Sequence, residues 1–334
     1  MTDEPDGHRP PPVHPDTGDG IPDVSVIIPT NRMSPYLGDA LQSVVAQSFE
    51  RWEIVVVDDG VPDPGSLDAL AARTPRCRVV RQPPGGVSMA RNRGLAESAG
   101  GLVAFLDDDD LWHPDFLRLQ IEAMGADPSA RGSYCSGWLI DAHGDTLSTD
   151  WAPVGAPVDQ LLSGQVDLPS LRTMLVGRSD GIAVGGFNPG LRYAEDLEFV
   201  FRMLGSIPFT SIPDKLVAYR RYPESEISTA SLWAVQQSSR RAVELQIWSA
   251  RDRDDAVTAD LLEENLHRVN ASAARTALRL AAMQIRQGDL KLGVSTAATA
   301  VKQDRRGVLR SAASAAVARV RHTGAGAEGG GHPG

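Results

Sequence analysis

The segment Leu102–Pro114, which reads LVAFLDDDDLWHP, constrains this chain more than any other. Its apolar part, Leu102–Leu106, follows two glycines and has the length and composition of a strand buried in a sheet. Four aspartates come next: Asp107, Asp108, Asp109 and Asp110. Because open α/β sheets bind ligands at the carboxyl ends of their strands, the segment predicts a ligand site lined by carboxylates.

Four adjacent carboxylates repel one another, so a positive charge is expected beside them. A hard divalent cation with oxygen ligands, Mg²⁺ or Mn²⁺, meets this need, above all when it is shared with a diphosphate. The alternative is a solvated acidic turn that caps a helix beginning at Pro114.

Two earlier segments also predict buried strands. Val24–Pro29 is a nearly continuous apolar run that proline ends, and Glu53–Gly60 ends in Asp58 and Asp59. Pro35–Ala46 between them has helical spacing of its apolar residues. Alternating strands and helices predict an α/β fold with a mostly parallel, doubly wound sheet. Two strands then carry carboxylates at one edge, which solvation alone explains poorly.

A predicted helix, Ser88–Ser98, adds basic groups to that edge. Ser88 is its expected N-cap, and the preceding Gly85 and Gly86 allow the backbone to approach a ligand closely. Arg91 on this helix supplies a charge for phosphate, so carboxylates and arginines together indicate a nucleoside diphosphate site. The chain has neither G-x-G-x-x-G after its first strand nor G-x-x-x-x-G-K-[ST], which disfavours dinucleotide-binding and P-loop enzymes.

Composition narrows the partners and the compartment. The chain is 42% hydrophobic with a net charge of −10, which predicts a soluble protein without a nucleic-acid partner. No apolar run approaches the roughly 20 residues of a transmembrane segment, and the acidic, proline-rich start does not resemble a signal peptide. Two cysteines suit a reducing compartment. We expect a cytoplasmic location, or peripheral membrane contact through the basic residues after 301.

Five short motifs, in this order and spacing, resemble family 2 glycosyltransferases of the GT-A fold, which is Rossmann-like. They are SVIIPT at Ser25–Thr30, VVVDDG at Val55–Gly60, GGVSMARNRG at Gly85–Gly94, FLDDDDLW at Phe105–Trp112 and GGFNPGLRYAEDLEFVFR at Gly185–Arg202. The resemblance spans Val24 to about Tyr222. It implies inverting transfer of a sugar from a nucleotide-sugar donor with one divalent cation.

The resemblance also implies a role for each matching residue. The residues that it assigns to donor binding are Pro29, Thr30, Asp59, Arg91, Asp107 and Asp108. Among them, Asp59 contacts the base and Arg91 lies near it. Asp107 and Asp109 form the ends of a D-x-D motif at ribose and metal, and Asp196 is the general base. Glu195 fixes the acceptor-side loop, and Trp112 contacts acceptor or phosphate. Independently of the resemblance, the helical spacing of four apolar residues predicts the buried face of a helix that begins near Asp196: Leu197, Val200, Phe201 and Leu204. On that helix we expect Glu198 to be solvated or capping.

Two departures from the family pattern are visible. Asn31 follows Pro-Thr where an aromatic residue is usual, so base stacking is either missing or supplied by Tyr36. The family often has Tyr-Arg-x-His near the end of the domain, and Tyr222 stands at the histidine position here. Arg220 or Arg221 is then expected to neutralise phosphate instead.

We divide the chain into a disordered tail (1–23), a catalytic domain (24–225), a helical region (226–322) and a second tail (323–334). Helical spacing marks Ser231–Ser249, Ala256–Gln287, Lys291–Lys302 and Val308–Arg319, with a turn at Gly288 and Asp289. We expect the helices to pack on the catalytic domain as an appendage. The alternatives are a homo-oligomer interface or an acceptor-recognition module.

The predicted function is transfer of a sugar from a UDP- or dTDP-sugar to a hydroxyl of a small molecule, a lipid-linked glycan or a polysaccharide. A nucleotidyltransferase is the first alternative, but it needs a basic loop after the first strand, where only Arg32 is basic. The second alternative is a non-catalytic protein that binds nucleotide sugars.

Overall fold

The structure, a computed structural model, describes residues 22–151, 154–222 and 229–303. Its strands are β1 (Val24–Thr30), β2 (Trp52–Asp58), β3 (Cys77–Arg81), β4 (Leu102–Phe105), β5 (Leu111–Trp112), β6 (Gly132–Ile140), β7 (Thr146–Trp151), β8 (Met174–Gly177) and β9 (Phe209–Arg220). Its helices are α1 (Leu37–Val45), α2 (Pro64–Ala71), α3 (Val87–Glu97), α4 (Phe116–Ala126), α5 (Val158–Leu162), α6 (Arg178–Ala183), α7 (Glu195–Leu204), α8 (Thr229–Asp252), α9 (Ala256–Arg286) and α10 (Leu290–Gln303). A 3₁₀ turn spans Leu171–Thr173.

The strands form one sheet in the order β3-β2-β1-β4-β8-β6-β9-β5, and β7 pairs with β6. The first four strands of this order are parallel, with Ile27 opposite Val55 on one side and Phe105 on the other. β8 enters antiparallel to both β4 and β6, while β9 runs parallel to β6. The carboxyl ends of β1, β2 and β4 therefore meet at one edge, as the sequence predicts.

Both faces of β1, β2 and β4 are buried, which explains their apolar runs. On β1, Ile27 packs toward α3 and α7, whereas Val26 and Ile28 pack toward α1 and α4. Val243 and Ile247 of α8 belong to the same apolar cluster as Ile27. The expected C-terminal helical appendage is thus present, and its first helix extends the core on the α7 side.

Most element boundaries agree with the sequence within a few residues, but one predicted cap is wrong. Helix α3 begins at Val87 with Gly86 as its N-cap, at a φ of 86° that favours glycine. Ser88 therefore lies inside the helix, where its hydroxyl donates to the carbonyl of Asn188. Residues 1–21 of the predicted first tail, the whole second tail and the helix Val308–Arg319 lie outside the described residues, whereas Asp23 is described and pairs with Arg51. Within the described ranges, no helix is long and apolar enough to cross a membrane.

Candidate active site

A cleft of about 330 Å³ opens at the carboxyl ends of β1, β2 and β4. Seven of the residues predicted for the site line it: Pro29, Thr30, Asp59, Asp107, Asp108, Asp109 and Arg220. Asn31, Arg32, Val87, Arg172, Tyr219 and Tyr222 complete the lining. The fold thus brings together aspartates, arginines and tyrosines that are far apart in sequence.

Asp107 is held from two sides by arginines. Nη2 of Arg91 lies 3.0 Å from Oδ1 of Asp107, and Nη2 of Arg172 lies 2.8 Å from Oδ2. Burial alone would raise the pKa of Asp107, but Arg172 and Arg91 together hold it below its usual value. Asp107 is therefore an ionised carboxylate in a fixed orientation.

The negative charges of Asp108 and Asp109 have fewer close positive partners than the charge of Asp107. Oδ2 of Asp108 accepts from the hydroxyl of Thr30 at 2.6 Å, and burial raises the pKa of Asp108 to about 6. Asp109 accepts from the Tyr222 hydroxyl at 2.7 Å and lies 4.0 Å from Arg32. Burial and the charge of Asp107 raise the pKa of Asp109 as well. Carboxylates in this state gain from an added cation.

Asp110, the last of the four aspartates, is buried and does not line the cleft. Its side chain is wholly buried, and Oδ1 accepts from the backbone N–H of Arg220 at 2.8 Å. Nη1 of Arg172 lies 3.1 Å from Oδ2, while burial raises the pKa of Asp110 to about 8. Asp110 therefore fastens the acidic segment to β9.

Asp59 shapes the turn that precedes α3. Its carboxylate accepts from Nε2 of Gln82 at 2.7 Å and from the backbone N–H groups of Gly85 and Gly86 at 2.7 and 2.8 Å. A carboxylate has about four acceptor positions, so one remains for a ligand N–H. Asp59 lies in the cleft wall, where such a ligand group can reach it.

Arg91 is buried and bridges two carboxylates rather than lining the cleft. Nη1 lies 2.8 Å from Oε1 of Glu195 while Nη2 reaches Asp107, and the guanidinium lies over the ring of Phe187. The prediction that Arg91 lies near the base is therefore not supported by its position. Instead, Arg91 joins the acidic end of β4 to the first turn of α7.

Trp112 also lies away from the cleft wall. Its ring stacks on Phe116 with centroids 4.0 Å apart, and its indole N–H donates to the carbonyl of Arg172 at 3.1 Å. Buried in the apolar core, Trp112 has no face turned to an acceptor or phosphate, contrary to its predicted role.

The first turn of α7 carries Glu195 and Asp196. Ala194, just before the helix, has a φ of 58° and caps it without a side-chain hydrogen bond. Asp196 therefore lies within the helix and is not its N-cap. Glu195 is buried, and burial followed by the neighbouring Asp196 charge raises its pKa. Burial lowers the pKa values of Arg91 and Arg172, but nearby carboxylates, Asp107 above all for Arg91 and Asp110 for Arg172, raise them. The Asp196 charge adds to the rise in both residues.

The prediction that Glu198 is solvated or capping is wrong. Its side chain is buried, with Oε1 and Oε2 2.7 and 2.6 Å from the guanidinium of Arg202. Nε2 of Gln246 on α8 donates to it at 2.8 Å. Glu198 therefore ties α7 to the C-terminal helices.

The predicted phosphate arginines differ in position. Arg220 is buried, donates through Nε to the carbonyl of Asp109 at 2.9 Å and lies 4.3 Å from the ring centroid of Tyr36. Arg221 is exposed and lies over Tyr219. Tyr36, the alternative stacking residue, contacts Tyr222 and Arg220 and does not line the cleft.

Sequence reasoning missed Arg172, which lies in the 3₁₀ turn and lines the cleft. The one signal was a single charged residue inside the mostly apolar stretch 168–176, LPSLRTMLV. Nothing local connects it with Asp107, because the two are 65 residues apart in the chain and meet only through β8.

The residues fit a cation only if its ligands are shared with a bound diphosphate. In the described part of the chain, no group of three His, Cys, Asp or Glu side chains is placed to hold a metal ion. Both oxygens of Asp107 face arginines, and Oδ2 of Asp109 accepts from Tyr222. Asp109 is thus the best protein ligand, and phosphate oxygens and water must complete the coordination of a hard cation.

Comparisons with known proteins agree with this geometry. The family described as "Glycosyl transferase family 2" matches residues 25–138. The putative teichuronic acid biosynthesis glycosyltransferase TuaG of Bacillus subtilis is 32% identical over 173 residues, which cover 46% of this chain and 68% of TuaG. The uncharacterized protein y4gI of Sinorhizobium fredii is 31% identical over 243 residues, 67% of this chain but only 25% of that protein. The chain belongs to glycosyltransferase family 2.

The solved structures show the same fold. The crystal structure of S. aureus TarS 1-349 matches with a TM-score of 0.57 and 17% identity, covering 83% of this chain and 90% of that one. TarS 1-349 in complex with UDP-GlcNAc matches with a TM-score of 0.55 and 15% identity, covering 83% and 91%. The predicted GT-A fold with C-terminal helices is confirmed.

Proposed function

We propose that the chain is an inverting glycosyltransferase that moves a sugar from a UDP- or dTDP-sugar to an acceptor hydroxyl. In this proposal a divalent cation lies at Asp109 and Asp107, and Asp196 is the general base. The carrying observation is the carboxylate-lined cleft at the strand ends, joined through Arg91 to the first turn of α7.

The nucleoside would lie between Thr30 and Asp59. The remaining acceptor position of Asp59 suits the N3–H of uracil or thymine, a donor that cytosine lacks. A site built to pair one polar group rejects analogues without it. The TarS complex with UDP-GlcNAc supports a uridine donor by analogy.

The diphosphate would lie against Asp109 and the basic wall of Arg32 and Arg172. A bound Mg²⁺ or Mn²⁺ supplies Lewis-acid stabilisation of the charge that develops on the departing diphosphate. Arg32, half of whose side chain is exposed, provides a second positive charge at the same wall.

Asp196 would take the proton of the acceptor hydroxyl. Asp196 lies in the first turn of α7, where the positive end of the helix dipole attracts negative charge. As the acceptor oxygen bonds to the anomeric carbon, the bond to the diphosphate breaks on the opposite face, and the configuration inverts. Glu195, clamped by Arg91, holds the turn so that Asp196 faces the acceptor side.

The acceptor is a hydroxyl on a small molecule, a lipid-linked glycan or a polysaccharide. The name of TuaG supports a growing polysaccharide by analogy. A nucleotidyltransferase is less well supported because the loop after β1 brings only Arg32 to the cleft. UDP release from UDP-sugars would mark the transferase, whereas pyrophosphate release from UTP and a sugar phosphate would mark the nucleotidyltransferase.

Nucleotide selection tests the proposal without knowledge of the acceptor. We expect UDP or dTDP, with Mg²⁺ or Mn²⁺, to raise the melting temperature more than CDP, GDP or ADP. Asp59→Asn should remove most of this preference, because its amide presents a donor as well as an acceptor. Asp63→Asn, at an exposed helix cap on the same side, is the matched control and should keep the preference. Equal or stronger stabilisation by GDP would contradict the assignment.

A further inference from the structure

Hydrogen bonds from buried side chains hold the backbone at Arg172 in place. The 3₁₀ turn Leu171–Thr173 connects directly to β8. The indole N–H of Trp112 donates to the carbonyl of Arg172 at 3.1 Å, and Nε2 of Gln120 donates to that of Thr173 at 2.7 Å. Two buried side chains therefore hold the backbone at Arg172 and at the residue that follows it.

The guanidinium of Arg172 lies between the side chains of Asp107 and Asp110. Nη2 lies 2.8 Å from Oδ2 of Asp107, and Nη1 lies 3.1 Å from Oδ2 of Asp110. The plane lies 4.2 Å from the ring centroid of Tyr219, another cleft residue. Only 15% of the Arg172 side chain is exposed, so this arrangement is packed rather than a surface ion pair.

Asp107 consequently has one arginine on each oxygen. Arg91 comes from α3 and continues to Glu195, while Arg172 comes from the 3₁₀ turn and continues to Asp110. A planar fork can hold two carboxylates in a fixed relation, and a lysine ammonium, being a point charge, cannot. The orientation of Asp107 toward the cleft is therefore set by two independent elements.

We propose that Arg172 is a positioning residue of the donor site, which fixes the Asp107 carboxylate in the orientation that receives the donor. This inference rests on the proposed function, because it assigns Asp107 to the nucleotide-sugar donor. Arg172 acts through Asp107: a carboxylate displaced by a fraction of an ångström loses the aligned contact on which donor binding and transfer depend.

The first test compares Arg172→Lys and Arg172→Ala with the wild-type protein by calorimetric titration with UDP. We expect UDP affinity to fall about tenfold in Arg172→Lys, although the charge is kept, and further in Arg172→Ala. Guanidinium chloride at low millimolar concentration should restore part of the binding to Arg172→Ala, because Asp107 and Asp110 still face the vacated space. Arg131→Ala is the matched control: its ion pair with Asp180 lies outside the cleft lining, and it should bind UDP as the wild type does.

A double-mutant cycle separates positioning from general destabilisation. If Arg172 acts through Asp107, then Arg172→Lys should add less than twofold to the loss already caused by Asp107→Asn. Arg172→Lys that binds UDP like the wild type, or losses that multiply in the double variant, would overturn the inference while leaving the proposed function intact. A wild-type protein that binds neither UDP nor dTDP would overturn both.

Discussion

The hydroxyl of Tyr222 donates to Oδ2 of Asp109 across 2.7 Å, at the chain position where family members often have a histidine. Nη2 of Arg32 donates in turn to the Tyr222 oxygen at 2.9 Å. Burial and the Asp109 charge raise the pKa of Tyr222 to about 12, so the hydroxyl stays a proton donor at neutral pH. Tyr222 thus orients the Asp109 carboxylate.

Replacing Tyr222 by phenylalanine should therefore impair the donor site without disturbing the fold. A hydrogen bond to a charged group is worth about 1.5 kcal/mol or more, so we expect kcat/KM for the donor to fall about tenfold. Steady-state kinetics measures this. Tyr193→Phe, on the loop before α7, is the control and should leave kcat/KM unchanged. A loss below twofold in Tyr222→Phe would show that Asp109 needs no such partner.

Removal of the metal gives the second prediction. EDTA should abolish transfer, Mg²⁺ or Mn²⁺ should restore it, and Asp109→Asn should lower turnover at least about 100-fold because the cation loses its best protein ligand. Asp115→Asn, at a half-buried aspartate just beyond the same segment, should behave like the wild type. Full activity in EDTA, with no metal detected by elemental analysis, would exclude the assigned cation.

Much of the site follows from sequence because its carboxylates directly end buried strands. Apolar runs predict β1, β2 and β4, and parallel pairing then puts Thr30, Asp59 and the Asp107 cluster at one edge. The positions of side chains that are fixed by partners far away in the sequence cannot be predicted from local sequence patterns. The fork of Arg172 and the pairing of Glu198 with Gln246 depend on how β8 and α8 pack, which no local pattern records.

The buried pair of Glu198 and Arg202 gives a third prediction. Removing one partner of a buried ion pair leaves the other charge uncompensated, so Glu198→Ala should lower the free energy of unfolding by about 3 kcal/mol. Glu264→Ala removes an exposed pair of the same i,i+4 spacing on α9 and should cost about 0.5 kcal/mol or less. Urea unfolding compares the two. Equal losses would mean that the buried pair contributes no more to stability than the exposed one.

Gly186 gives a fourth prediction, on the chain segment before α7. Its φ is 65°, and a Cβ there would collide with Oδ1 of Asn92, which accepts from the N–H of Phe187 at 2.7 Å. Gly186→Ala should cost at least about 2 kcal/mol of unfolding free energy through strain and displacement of Asn92. Gly38→Ala, where α1 leaves open space, should instead be neutral or stabilising by up to about 1 kcal/mol. Indistinguishable melting curves for the two variants would contradict this.

The central claim is that Asp196 is the base of an inverting transfer, and its substitution by asparagine tests this most directly. Asparagine keeps the size and one oxygen of the side chain but cannot accept the acceptor's proton. The measurement is the rate of UDP release from UDP-sugars with an acceptor panel, together with UDP affinity and melting temperature of the same variant. We predict near wild-type stability and UDP affinity with transfer lowered at least about 100-fold, the usual scale for loss of a general base. Transfer within a few-fold of the wild type would show that Asp196 is not the base.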